Sequence, residues 1–68
     1  MSLNDQLQTI HGLYQAGRMA DAVNSANSAL MAYPGDANLL HLKAVALRRM
    51  GDLAGAIAAM RQAAVRAP

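Results

Sequence analysis

Shifted by 34 residues, the sequence falls back on itself. Asn4 lies on Asn38, Leu13 on Leu47, Gly17 on Gly51, Ala20 on Ala54, Ala22 on Ala56, Ala29 on Ala63 and Pro34 on Pro68. Conservative pairs fill the intervals: Met19 with Leu53, Val23 with Ile57, and Gly12 with Ala46. A period of this size means that one supersecondary unit is used twice, and that each unit buries its apolar side by stacking on the next. No other feature constrains these 68 residues as much. A chain of this length fills one domain or part of one, and buries too little surface to enclose a sizeable active-site core.

Within each unit the pattern is helical. Leu39, Leu40, Leu42, Val45, Ala46, Leu47 and Met50 cover more than one face of a helix, as expected of a helix packed on both sides. Gly17 and Gly51 stand where the first helix of each unit stops, and glycine there enters the left-handed region without a Cβ clash. Asp36 and Asp52 are placed to cap the helices that follow, Arg18 is a poorer cap, and Ser2 with Asp5 has capping-box spacing. Pro34 disfavours helical geometry in Tyr33 and closes the first unit. The expected fold is all-α: four antiparallel helices over residues 3–16, 19–33, 37–50 and 53–67, joined by short turns into two helix-turn-helix repeats of an α-α superhelix. Residues 1–2 read as a leader, 3–36 as the first repeat and 37–68 as the second.

Ile10, Leu13, Gly17, Ala22, Ala26, Ala29 and Pro34, with Leu40, Ala44, Leu47, Gly51, Ala56, Met60, Ala63 and Pro68 in the second unit, resemble the tetratricopeptide repeat family over residues 3–68. The family's early tryptophan is replaced by Gln6 and Leu40, its next leucine by Thr9 and Lys43, and the aromatic of its second helix by Ala26 and Met60. The resemblance implies a concave groove, lined by the first helix of each unit, that takes an extended peptide or a helix. Helical spacing then nominates two groove stripes, Asn4, Gln8, His11 and Gln15 in the first unit and Asn38, His41, Val45, Arg48 and Arg49 in the second. Leu7 and His11 stand where the family's carboxylate-clamping modules carry Lys and Asn, so that mode is not expected. Arg48 and Arg49 suit either an acidic side chain of a partner or the negative end of their own helix.

The chemistry available is narrow. Without cysteine there is no disulfide, thiolate metal site or sulfur nucleophile. His11 and His41 lack a third ligand, Ser25 and Ser28 have no histidine nearby in sequence, and the glycines form no phosphate loop. No enzyme activity, metal or cofactor is expected. Tyr14 and Tyr33 are the whole aromatic complement, which leaves no stacking platform beside the basic residues for nucleic acid. No apolar run reaches the ~18 residues of a membrane span, no signal peptide is visible, and a cytoplasmic location is the default. Met19, Met31, Met50 and Met60 fall at core-like helical positions and are expected to pack.

Charge is uneven. Residues 1–36 carry Arg18 against Asp5, Asp21 and Asp36, a net −2, whereas 37–68 carry Lys43, Arg48, Arg49, Arg61 and Arg66 against Asp52, a net +4. This admits head-to-tail contact, an acidic protein or peptide partner, or simply a solvated surface.

The last helix is the anomaly. Leu53, Ile57, Met60, Ala64 and Val65 belong to a face that one hairpin cannot bury, where repeat arrays ordinarily end in a polar helix. Two compatible readings follow: the array continues in further sequence, or another copy covers the face, with hairpin exchange about residues 33–36 as one route to a homo-oligomer. The function expected is a protein-interaction scaffold, working through its groove, through self-association, or both. The alternative is an N-terminal accessory segment of a larger enzyme.

Overall fold

The computed structural model describes residues 2–66, so Met1 of the leader, the expected helix end at Ala67 and the closing role of Pro68 lie outside it. Four helices, and among the described residues no strand, make up the chain: α1 (Leu3–Gln15), α2 (Met19–Ala32), α3 (Ala37–Arg49) and α4 (Leu53–Arg66). Each of the three expected caps is made. Ser2 Oγ accepts the Asp5 N–H at 3.2 Å, Asp36 Oδ2 the Leu39 N–H at 3.0 Å, and Asp52 Oδ1 the Gly55 N–H at 2.9 Å, each satisfying a donor left free at a helix start. Arg18, before α2, makes no such bond and instead pairs with Asp21 at 2.6 Å.

The 34-residue repeat extends to the backbone hydrogen bonds. After α1, Gly17 N–H bonds to the Tyr14 carbonyl and Arg18 N–H to that of Leu13. After α3, Gly51 N–H bonds to the Arg48 carbonyl and Asp52 N–H to that of Leu47. Both are Schellman closures around a left-handed glycine, with φ 80° at Gly17 and 87° at Gly51. Between the units the turn is different. Tyr33 leaves helical geometry at φ −127°, and the Asp36 N–H closes on the Tyr33 carbonyl across Pro34 and Gly35, the residue order of a type II β-turn.

Of the four helices, α3 alone approaches all the others closely along the backbone, while α4 approaches only α3 in this way among the described residues. The main core joins Ile10, Ala22, Ala26, Ala29, Leu39 and Ala46, with Leu7, Met19, Val23, Leu30 and Leu42 packed around it. Ile10, Leu39 and Leu40 are the largest fully buried side chains among the described residues, each contributing ~2–3 kcal/mol by leaving water. A smaller cluster holds α4, built from Ala44, Leu47, Ala56 and Ala59 with Val23 reaching in from α2. Alanine at these contacts lets helix backbones approach closely but buries little area per residue.

The methionines correct the sequence reading. Of the four methionines among the described residues, Met19 packs on the core, whereas Met31, Met50 and Met60 are 87%, 52% and 47% exposed. Their spacing suits a buried stripe, but Met31 lies on the side of α2 away from α3, Met50 closes the end of α3, and Met60 lies on the open side of α4. No helix among the described residues is long and apolar enough to cross a membrane.

Candidate functional site

Two surface clefts gather most of the expected residues. The first runs between α1 and α3 and is lined by Leu7, Gln8, His11, Asn38, His41 and Leu42, with a volume of about 340 Å³. It brings together members of both expected stripes, including the two histidines. Asn4 and Gln15 are exposed on α1 but do not line it. Among the described residues, no three His, Cys, Asp or Glu side chains converge on a point that would hold a metal ion.

The second stripe divides. Arg49 turns back toward α1, where its Nε donates to Tyr14 Oη at 3.0 Å and its guanidinium lies 5.4 Å from the centre of that ring. Arg48, one residue earlier and therefore ~100° around the helix, faces the other way. With His41 and Val45 it borders the second cleft, between α3 and α4. Adjacent arginines thus serve different surfaces, which spacing alone does not separate.

The α3/α4 cleft is the larger, at about 660 Å³, and it is apolar: Ala44, Val45, Leu53, Ala56, Ile57, Met60 and Ala64 form its walls, and Arg48 and Arg61 its charged rim. Leu53 is 60% exposed and Ile57 55%. Four of the five residues assigned to self-association therefore meet in one groove. Val65, the fifth, is exposed but lies instead beside a separate cleft of about 480 Å³ with Leu30, Pro34, Leu40 and Arg61.

This groove has a counterpart inside the molecule. Moving Ala44, Leu53, Ala56, Ile57, Met60 and Ala64 back by 34 residues gives Ile10, Met19, Ala22, Val23, Ala26 and Leu30, all members of the main core. On that first surface α3 is seated, contributing Leu39, Leu42 and Ala46 to the same core. The second surface keeps an apolar side chain at each of these positions, with Ile10, Ala26 and Leu30 changed in size to Ala44, Met60 and Ala64, and no helix among the described residues lies on it. The opposite end of the slab is unlike it, because the exposed side of α1 carries Asn4, Asp5, Gln8, Thr9, His11, Gly12 and Gln15, with no large apolar side chain among them. Among the described residues, one end carries polar groups and the other an apolar groove.

Comparison with protein-family models, with curated proteins and with solved structures gives no match for this chain.

Proposed function

We propose that the chain is a protein-interaction module of two tetratricopeptide-like repeats, without catalytic activity, that docks a helix on the α3/α4 groove. The observation that carries this reading is the equivalence of that groove to the surface on which α3 is already seated. A surface shaped and lined to take a helix once within the molecule is suited to take one again. An apolar groove with few polar positions at its edge is also the form that helix-in-groove recognition uses. The duplicated Schellman turns and the central place of α3 support the repeat assignment. The α1/α3 cleft, smaller and edged by Gln8, His11, Asn38 and His41, is the polar surface beside it.

Installing a photo-crosslinking amino acid in place of Ile57, and separately in place of the more exposed Met31, tests the module in cells expressing the chain. Discrete protein adducts from position 57, absent from position 31 and removed by Met60→Asp, are the expected result. Equal, diffuse labelling from both positions, or none from position 57, would refute it.

A further inference from the structure

The first seat shows how a docked helix meets the rim of the second. Where α3 lies on α1 and α2, it places Leu39, Leu42 and Ala46 in the core and Arg49 against Tyr14. Counted along the helix, these are positions i, i+3, i+7 and i+10, three apolar contacts and one polar contact on a single side. The residue 34 places after Tyr14 is Arg48, and the residue 34 places after Asn27 is Arg61. Tyr14, a neutral position of the first seat, has thus become the cation Arg48 at the rim of the second, and Arg61 adds a further cation there. A helix seated in the same way would therefore bring its i+10 side chain to Arg48. A cation there, like Arg49 in the first seat, would be repelled, whereas a carboxylate would form a charge-assisted pair.

Resting on the helix-docking reading above, we infer that the occupant of the α3/α4 groove is an amphipathic helix of another protein, with apolar residues at i, i+3 and i+7 and an Asp or Glu at i+10.

A second copy of this chain does not supply that helix. All four aspartates sit at helix N-caps or in first turns, Asp5 and Asp21 within α1 and α2 and Asp36 and Asp52 before α3 and α4, so none lies ten residues into a helix. Stacking head to tail would offer the polar side of α1, where Asp5, Gln8 and Gly12 replace the Leu39, Leu42 and Ala46 of α3. Pairing tail to tail would set Arg48 and Arg61 of one copy near those of the other, with Asp52 the one acidic residue in residues 37–68 to offset them. The apolar wall is shared by all these arrangements, and the rim charge selects among them.

The probes are two hydrocarbon-stapled, fluorescein-labelled helical peptides with Leu, Leu and Ala at i, i+3 and i+7 in an Ala/Gln background, one bearing Glu and the other Lys at i+10. Fluorescence anisotropy at low salt is expected to give saturable binding, with the Glu peptide preferred roughly tenfold, the size of one charge-assisted contact. Arg48→Glu should reverse the preference. Ile57→Asp should abolish binding of both peptides with helical circular dichroism unchanged, since Ile57 is already 55% exposed. Equal binding of both peptides, unaffected by Arg48→Glu, would overturn the acidic-helix inference while leaving helix docking intact. Sedimentation as a dimer that Ile57→Asp dissociates would assign the groove to a second copy and overturn it too. If neither peptide binds and the chain sediments as a monomer, the helix-docking reading fails with it.

Discussion

At the scale of single residues, two glycines 39 positions apart respond oppositely to the same change. Gly51 sits at φ 87° in the turn after α3, where an added Cβ has open space around it but the wrong backbone. Gly51→Ala is expected to cost about 1–2 kcal/mol, the penalty of an L-residue in the left-handed region. In a domain this small that lowers the thermal midpoint by roughly 5–15 °C. Gly12 lies inside α1, exposed and with nothing within 4 Å of the place an added methyl group would take. Gly12→Ala should instead add about 0.5–1 kcal/mol, because it lowers the entropy of the unfolded chain. Thermal melts followed by circular dichroism separate the two, and a loss of stability at both positions would contradict the placement of Gly12 on the free side of α1. The turn glycines are legible in sequence because a left-handed turn leaves few other residue choices. Methionine is less legible: its flexible apolar chain suits a core and an open groove alike, so Met31 and Met50 read as buried when they are not, and Met60 fits both readings.

At the scale of elements, the helix limits follow closely from sequence. Its pattern places helices at residues 3–16, 19–33, 37–50 and 53–67, and Leu3–Gln15, Met19–Ala32, Ala37–Arg49 and Leu53–Arg66 are found. Starts and stops are local chemistry, a carboxylate or hydroxyl accepting the first free N–H groups and a glycine or proline ending the ladder, and local chemistry can be read residue by residue. The direction a helix faces is set by its neighbours. That is why spacing groups Arg48 and Arg49 in one stripe, although Tyr14 draws Arg49 to α1 and leaves Arg48 at the rim of the open groove. The odd element is α2, the one helix of the four whose preceding residue makes no side-chain cap. Arg18→Ser supplies an acceptor there, as Ser2 does for α1. The gain expected is about 0.5–1 kcal/mol, reduced by loss of the exposed Arg18–Asp21 pair, which as a surface ion pair is worth little. Urea unfolding should show a higher midpoint at an unchanged slope; a lower midpoint would mean that the ion pair outweighs the missing cap.

At the scale of the whole molecule, stability is graded from one end to the other. The Cα envelope measures 31 × 30 × 15 Å, a slab too thin for its core to extend far from solvent. Within it α3 is held by three helices, α1 and α2 each by two, and among the described residues α4 mainly by α3, through the small cluster of Ala44, Leu47, Ala56 and Ala59 to which α2 adds Val23. Repeat arrays gain much of their stability from interfaces between neighbours, so the helix with the fewest interfaces opens first. Amide hydrogen exchange is therefore expected to be slowest in the middle of α3 and fastest in α4 among helix interiors, even though α4 begins with a made cap at Asp52. Seating a helix in the α3/α4 groove would give α4 a second neighbour across Leu53, Ile57 and Met60. Ligand at a hundred times its dissociation constant adds about 2.7 kcal/mol to global stability. The added protection should be greatest in α4, whose openings expose the groove wall directly, and smaller in α1, which lies at the far end. A uniform rise across all four helices would mean that the chain opens as a single unit, with no weaker end for a partner to complete.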